Sequence, residues 1–232
     1  FRRVLFRSSF IVVFGLFGYV WMTLDKQGLL QIPEREPGIM ILANDGSVLA
    51  EQGSFNGDEV RISDLPDYVP NAFIAIEDRR FRSHYGVDPI GVLRAMYTNY
   101  RSGRVVQGGS TLTQQLISQI YIVKQRTIDR KVREALLAVQ LEDRFTKDQI
   151  LTAYLNTVFY GNNAYGVEAA AQTYFATSAK DLTLPQAALL AGLPQLPSEY
   201  DPYANPQAAL TRRDAVLRAL ADTGRSPRRS CA

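Results

Sequence analysis

The chain has one cysteine, Cys231, and one histidine, His84. A disulfide framework, a Cys-rich zinc site and a multi-histidine metal centre are therefore excluded. Any Ser-His-Asp triad would have to use that single imidazole. Acidic residues are missing from both ends: Arg2, Arg3 and Arg7 open the chain, and Arg225, Arg228 and Arg229 close it. The whole chain carries 26 basic and 23 acidic residues; without those six arginines the body has 20 against 23 and is mildly acidic. That balance excludes a broad nucleic-acid surface, so no nucleic-acid partner is expected. There is no internal repeat and no low-complexity tract. Apolar residues are not scarce: they make up 46% of the 232 residues, enough to bury a core without a structural metal.

One long uncharged run stands out. Ser8 to Leu24 holds 17 residues without a charge, including Phe10, Ile11, Val12, Val13, Phe14, Leu16, Phe17 and Val20. At about 1.5 Å per residue it spans roughly 26 Å, just short of a bilayer core of about 30 Å. Snorkelling arginines and interfacial Tyr19 and Trp21 close the difference. Residues 8–24 are thus expected to be a single transmembrane helix. The positive-inside rule leaves residues 1–7 as a cytoplasmic basic stub and puts the rest outside. A cleaved signal peptide is the rival reading, but the run is long for one and no clear small-x-small site follows. A buried soluble helix would keep a polar face, and this run is apolar on every side. Beginning at Phe1 rather than methionine, the sequence is expected to be a fragment.

Residues 25–60 read as a linker carrying a β-hairpin. Gln27 to Pro37 mixes prolines and charges, and Ile39 to Ala50 is two short apolar runs around Asn44-Asp45-Gly46, a hairpin signal. From Pro70 the pattern turns helical: Asn71–Ile76, Pro89–Tyr100, Thr111–Val123, Thr127–Phe145, Lys147–Leu155, Glu168–Phe175 and Leu184–Ala191, with Pro194 and Pro197 ending the last. Arg101 to Gly109 reads as a polar, glycine-bearing loop, of which Arg101 to Gln107 is expected to be mobile and near the membrane. The body, residues 61–222, is one mostly helical domain; residues 223–232 are a tail.

Glu77 ends an apolar stretch, and a part-buried carboxylate there has the raised pKa of a general base. On composition alone the favoured reading is a helix-end acid paired with Arg79 or Arg80. Gly108-Gly109-Ser110-Thr111 opens a helix, offering either an anion cradle of free N–H groups or simple capping by Ser110 or Thr111. Arg130, Lys131 and Glu134 share one helix flank, as surface ion pairs or as a diphosphate clamp. His84, Tyr154, Asn156 and Tyr160 read by default as structural.

Taken in order, these segments resemble the peptidoglycan glycosyltransferases, the transglycosylase domain of class A penicillin-binding proteins. The first motif is Glu77-Asp78-Arg-Arg-Phe81-x-x-His84-x-Gly86-x-Asp88-x-x-Gly91-x-x-Arg94-Ala95. Gln107-Gly-Gly-Ser-Thr-Leu-Thr-Gln-Gln-Leu116 is similar to the second, and Arg130-Lys131-x-x-Glu134 through Glu142 to the third. Tyr154-Leu-Asn156, Tyr160-Gly161, Tyr165-Gly-Val-Glu-Ala-Ala and Tyr174-Phe175 resemble the fourth, and Leu184 to Pro197 the last. No Ser-x-x-Lys acylation motif is present, so transpeptidation is not encoded here; the Asn44-Asp45-Gly46 hairpin ahead of the domain resembles the bifunctional class, and the chain is expected to be the N-terminal part of such a protein.

The resemblance implies a mainly α, lysozyme-like fold with a small N-terminal β element, and an inverting polymerisation of lipid II that releases undecaprenyl diphosphate. It implies Glu77 as the base and Glu134 as the second catalytic acid, with Glu134 also a ligand of a divalent cation, Mg²⁺ or Mn²⁺. It implies substrate contacts from Asp78, Phe81, His84, Gly109, Ser110, Thr111, Gln114, Gln115, Arg130, Lys131 and Asn156. The two acids are expected to face one cleft lined by Ser110, Thr111, Gln115, Arg130 and Lys131. Expected partners are lipid II, the nascent glycan strand, the bilayer and cell-wall synthesis proteins; the expected location is the cytoplasmic membrane, catalytic domain outside. The sequence departs from the family at Ser118, where a lysine is usual, at Gln119 (asparagine), at Arg82 (an aromatic) and at Thr157 (an acid). A weakened enzyme, or a lipid II-binding scaffold, is therefore the second reading; a glycan-cleaving enzyme, lacking need of an Arg-Lys clamp, is the third.

Overall fold

The computed structural model describes residues 39–42, 44, 48–52, 55–56, 58–103, 108–120 and 128–224. The expected stub, transmembrane anchor, Pro-rich linker and residues 225–232 of the tail lie outside that set, as does the 104–107 part of the polar loop. Among the described residues no helix is long and apolar enough to cross a membrane.

Among the described residues four short strands and eight α-helices follow one another: β1 (Ile39–Leu42), β2 (Val48–Gln52), β3 (Phe55–Asn56), α1 (Tyr68–Glu77), α2 (Pro89–Ser102), α3 (Leu112–Ile120), α4 (Ile128–Arg144), α5 (Lys147–Thr157), β4 (Ala164–Tyr165), α6 (Val167–Phe175), α7 (Leu184–Gly192) and α8 (Pro206–Asp222). The protein is mainly helical, with the expected hairpin as an antiparallel β1–β2 pair whose register shifts between Ile41 and Leu42. A second pair was not expected: β3 runs parallel to β4, Phe55 beside Ala164 and Asn56 beside Tyr165.

Helix boundaries follow local chemistry. Pro89 and Pro206 sit at first-turn positions of α2 and α8, where a missing N–H costs nothing. Thr146 caps α5 in a reciprocal box with Gln149, and Gly103, in the left-handed conformation, ends α2. At the centre lies α1, with Val69, Ala72, Phe73, Ile74 and Ala75 fully buried. It packs on α7 and α8, while α3 packs on α4 and α5. Helix α8 was not anticipated, and it supplies one wall of the site.

Candidate active site

Glu77 is the last residue of α1, so the core that holds the helix also fixes its carboxylate. Gln115 Nε2 on α3 donates to Glu77 Oε2 at 3.0 Å, and Arg212 Nη2 on α8 donates to Oε1 at 3.2 Å. The side chain is 9% exposed. Burial pushes its pKa above the ordinary carboxylate range, while Gln115 and then Arg212 oppose that rise and neighbouring Asp78 adds to it. Glu77 pairs with Arg212, while Arg79 lies 3.9 Å from Asp222 and Arg80 3.8 Å from Asp88. Glu77 opens on a cavity of about 550 Å³ that is also lined by Arg94, Thr98, Ser110, Gln115 and Arg212.

Beyond Ser110 lies the second cluster. Lys131 Nζ donates to Ser110 Oγ at 2.7 Å and makes a very short contact with Glu134 Oε1. Glu134 is buried, whereas Lys131 is half exposed. Arg130, one residue back on α4, donates to Ser118 Oγ at 3.3 Å. Ser110 therefore joins the two clusters: it lines the Glu77 cavity and accepts from the lysine that holds Glu134. Of the residues expected to line a shared cleft, Ser110 and Gln115 border this cavity; Lys131 and, through it, Glu134 stand behind Ser110, and Arg130 is turned to Ser118.

Several motif residues serve the scaffold. Asp78 is buried, and its Oδ2 meets both His84 Nε2 at 2.8 Å and the Leu112 N–H at 3.1 Å. A carboxylate thus already sits at the positive end of α3. The anion cradle expected at Gly108–Thr111 therefore has the protein's own carboxylate beside it, on the Leu112 N–H. Thr111 and Gln114 form a capping box on the same helix: Thr111 N–H donates to Gln114 Oε1 at 3.0 Å and Gln114 N–H to Thr111 Oγ1 at 3.1 Å. Thr111 Oγ1 also donates to Gly86 O at 2.6 Å. Phe81 is fully buried, with Lys147 Nζ 4.5 Å from its ring centre. Asn156 is buried and bonds both backbone groups of Val60, donating to its oxygen at 2.7 Å and accepting from its nitrogen at 3.1 Å. Gly109 is needed for close approach, since an added Cβ would stand 3.3 Å from Val92 Cα. Asp78, Phe81, Thr111, Gln114 and Asn156 are buried, and His84 is turned to Asp78 through Nε2, so in this structure each of these expected substrate-contact residues also braces the scaffold around the cavity.

Arg212 was not among the expected residues. It stands 135 positions from Glu77, and only the packing of α8 on α1 brings the two together. Its guanidinium also donates from Nε to Gly192 O at 3.2 Å and lies over the Tyr200 ring.

The transglycosylase family model matches residues 45–221. The chain belongs to the transglycosylase family. It is 49% identical over 165 residues to penicillin-binding protein 1A of Aquifex aeolicus, covering 71% of this chain and 23% of that protein. With penicillin-binding protein 1A of Escherichia coli it shares 39% over 212 residues, 91% of this chain and 25% of the relative. A crystal structure of penicillin-binding protein 1A from Haemophilus influenzae aligns at a TM-score of 0.46 and 24% identity, over 83% of this chain and 19% of that one. The chain spans about a quarter of the length of the curated relatives it matches. It is thus similar to the transglycosylase domain of class A penicillin-binding proteins. Among the described residues of this domain, no group of three or more His, Cys, Asp or Glu side chains is placed to hold a metal ion. Glu134 offers a single carboxylate already engaged by Lys131. The donor set does not make a cage by itself; it fits a hard cation that takes its other oxygens from a bound phosphate.

Proposed function

We propose that this domain is a peptidoglycan glycosyltransferase that polymerises lipid II, with Glu77 as general base. In this reading Glu77 takes the proton of the 4-hydroxyl of an incoming lipid II. That oxygen bonds to C1 of the growing strand, the C1–O bond to undecaprenyl diphosphate breaks, and the anomeric centre inverts. Lys131 and Arg130 face the departing diphosphate, and Glu134 holds Lys131 in place. Glu134 would hold a divalent cation, Mg²⁺ or Mn²⁺, which would supply neutralisation of phosphate charge. The observation that carries the reading is one buried, pKa-raised carboxylate on an open cavity, joined through Ser110 to a cation–acid pair.

Helix α2 supports a membrane-bound substrate. Ile90, Leu93, Met96, Tyr97 and Tyr100 are exposed along it at helical spacing, Tyr100 at 86%, and Arg94 and Thr98 of the same helix line the cavity. An apolar face beside the site suits a domain lying on a bilayer from which its lipid-linked substrate does not leave. In this reading the domain lies outside the cytoplasmic membrane, in keeping with the anchor expected at residues 8–24 and the basic residues ahead of it.

The test is incubation of the protein with labelled lipid II and Mg²⁺, resolved on a gel for glycan polymer. Glu77→Gln is expected to abolish polymer while preserving the fold and lipid II binding, and Glu134→Gln to lower the rate and alter its metal dependence. Wild-type polymerisation by Glu77→Gln would sink the base assignment. One observation favours the second reading, an impaired enzyme or lipid II-binding scaffold: Arg130 spends a hydrogen bond on Ser118, where relatives of the resembled family carry a further cation.

A further inference from the structure

A general base must be ionised to accept a proton, and burial of Glu77 works against that. Charged and polar groups reach it from every side: Arg212 from α8, Gln115 from α3, Asp78 from the end of its own helix, and Arg79 and Arg94 around the cavity. Behind Gln115 stands Tyr154 of α5, wholly buried and packed edge-on to Phe73 at 6.3 Å and 74°. Its hydroxyl donates to Gln115 Oε1 at 3.1 Å.

That hydrogen bond decides which end of the amide meets the base. With Oε1 held by the tyrosine, the NH₂ end faces Glu77 Oε2. Turning the amide over would set its oxygen against a carboxylate oxygen, an arrangement that requires a proton on Glu77. It would also leave the buried tyrosyl proton without that acceptor. Burial and the nearby Glu77 charge push the Tyr154 phenol well above its usual range, so it stays a donor at any working pH.

We infer that Tyr154 is a positioning residue for the base: it acts through Gln115, locking the amide in the orientation that favours an ionised Glu77. The inference rests on the reading of Glu77 as general base. It assigns a role to a side chain whose motif position alone reads as core.

Tyr154→Phe keeps the ring and removes the hydroxyl. Lipid II polymerisation is followed from pH 5 to 9 for the wild type, Tyr154→Phe, Gln115→Met and the double variant. Loss of one hydrogen bond is expected to move the acid limb of kcat up by about 0.5–1 unit, lowering the rate below that limb by roughly 3–10-fold. Rates should converge at high pH, KM should hardly change, and the double variant should shift no further than Gln115→Met alone. Carbon-13 NMR of the glutamate carboxyls, assigned by the signal lost in Glu77→Gln, should show the same upward shift without turnover. An unmoved limb with an unmoved carboxyl titration overturns the inference, as does a uniform loss of rate at all pH values with that titration unmoved. Should Glu77→Gln prove fully active, the base assignment fails on its own, and the carboxyl titration of Tyr154→Phe still decides whether Tyr154 sets the ionisation of Glu77.

Discussion

Replacing Arg212 by methionine keeps an unbranched stem near Tyr200 and removes the guanidinium that faces Glu77 at 3.2 Å. Glu77 is 9% exposed and Arg212 16%, so water screens the pair weakly. A hydrogen bond between charged groups in such a setting contributes about 1.5–3 kcal/mol, or roughly 1–2 pH units on the carboxyl. Burial already holds Glu77 above its ordinary value and Arg212 draws it back, so Arg212→Met lets it rise further. A carboxyl whose folded pKa lies above its unfolded one favours the fold most below the unfolded value, and that contribution is lost as pH rises through the folded value. The cost of Arg212→Met therefore divides in two. Loss of the bond to Gly192 and of the contact with Tyr200 is felt at every pH. Loss of the partner of an ionised Glu77 is absent near pH 4 and complete once pH passes the raised value. Urea unfolding of both proteins at pH 4 and pH 8 isolates the second part. The destabilisation should be larger at pH 8 by about 1.5–3 kcal/mol. The same destabilisation at both pH values would refute a charge coupling between these residues.

Three further outcomes are expected. Ser118→Lys adds a cation beside Arg130 on the diphosphate side and is expected to raise polymerisation, by up to on the order of 10²; equal, robust rates in native and variant proteins would show that the missing lysine does not matter here. In nanodiscs, lipids with photoactivatable tails should label α2, and Leu93→Glu with Tyr97→Glu should suppress that labelling while leaving the melting curve nearly unchanged; undiminished labelling would remove α2 from the membrane surface. Gly86→Ala should cost about 2–5 kcal/mol in thermal unfolding, because φ is +74° and the added Cβ would lie 2.6 Å from Val139 N and 2.7 Å from Ala138 O, both backbone atoms of α4; a wild-type midpoint would contradict that packing.

The helices from α1 to α7 were legible because their apolar spacing and their proline and threonine boundaries are local signals. Helix α8 was not: its buried residues are Ala209, Val216, Ala219 and Leu220, two of them alanines, and they contrast weakly with the rest of the segment. Missing α8 meant missing Arg212, which in sequence is one arginine among several. The parallel β3–β4 pair is two residues long and joins segments more than a hundred positions apart, beyond any local pattern. Motif membership identified Asp78, Thr111, Gln114 and Asn156 as important without saying how. Whether a hydroxyl or amide faces a cavity or a backbone group depends on packing between helices, and here all four turn inward to tie α1, α3 and α5 to their neighbours. Glu77 and Gln115 were legible as site residues; the hydroxyl behind them was not, because a buried tyrosine reads as packing.

The way the chain enters the domain has a mechanical consequence. Tension applied ahead of residue 55, once past the β1–β2 hairpin, meets the β3–β4 pairing first and the double clamp of Asn156 on Val60 next. Both lead the force into the end of α5 and the turn that follows it, before it can reach Tyr68, where α1 begins. The load path thus bypasses the helix that carries Glu77. Pulling on the segment ahead of the domain would strain one corner of it while the carboxylate keeps its place.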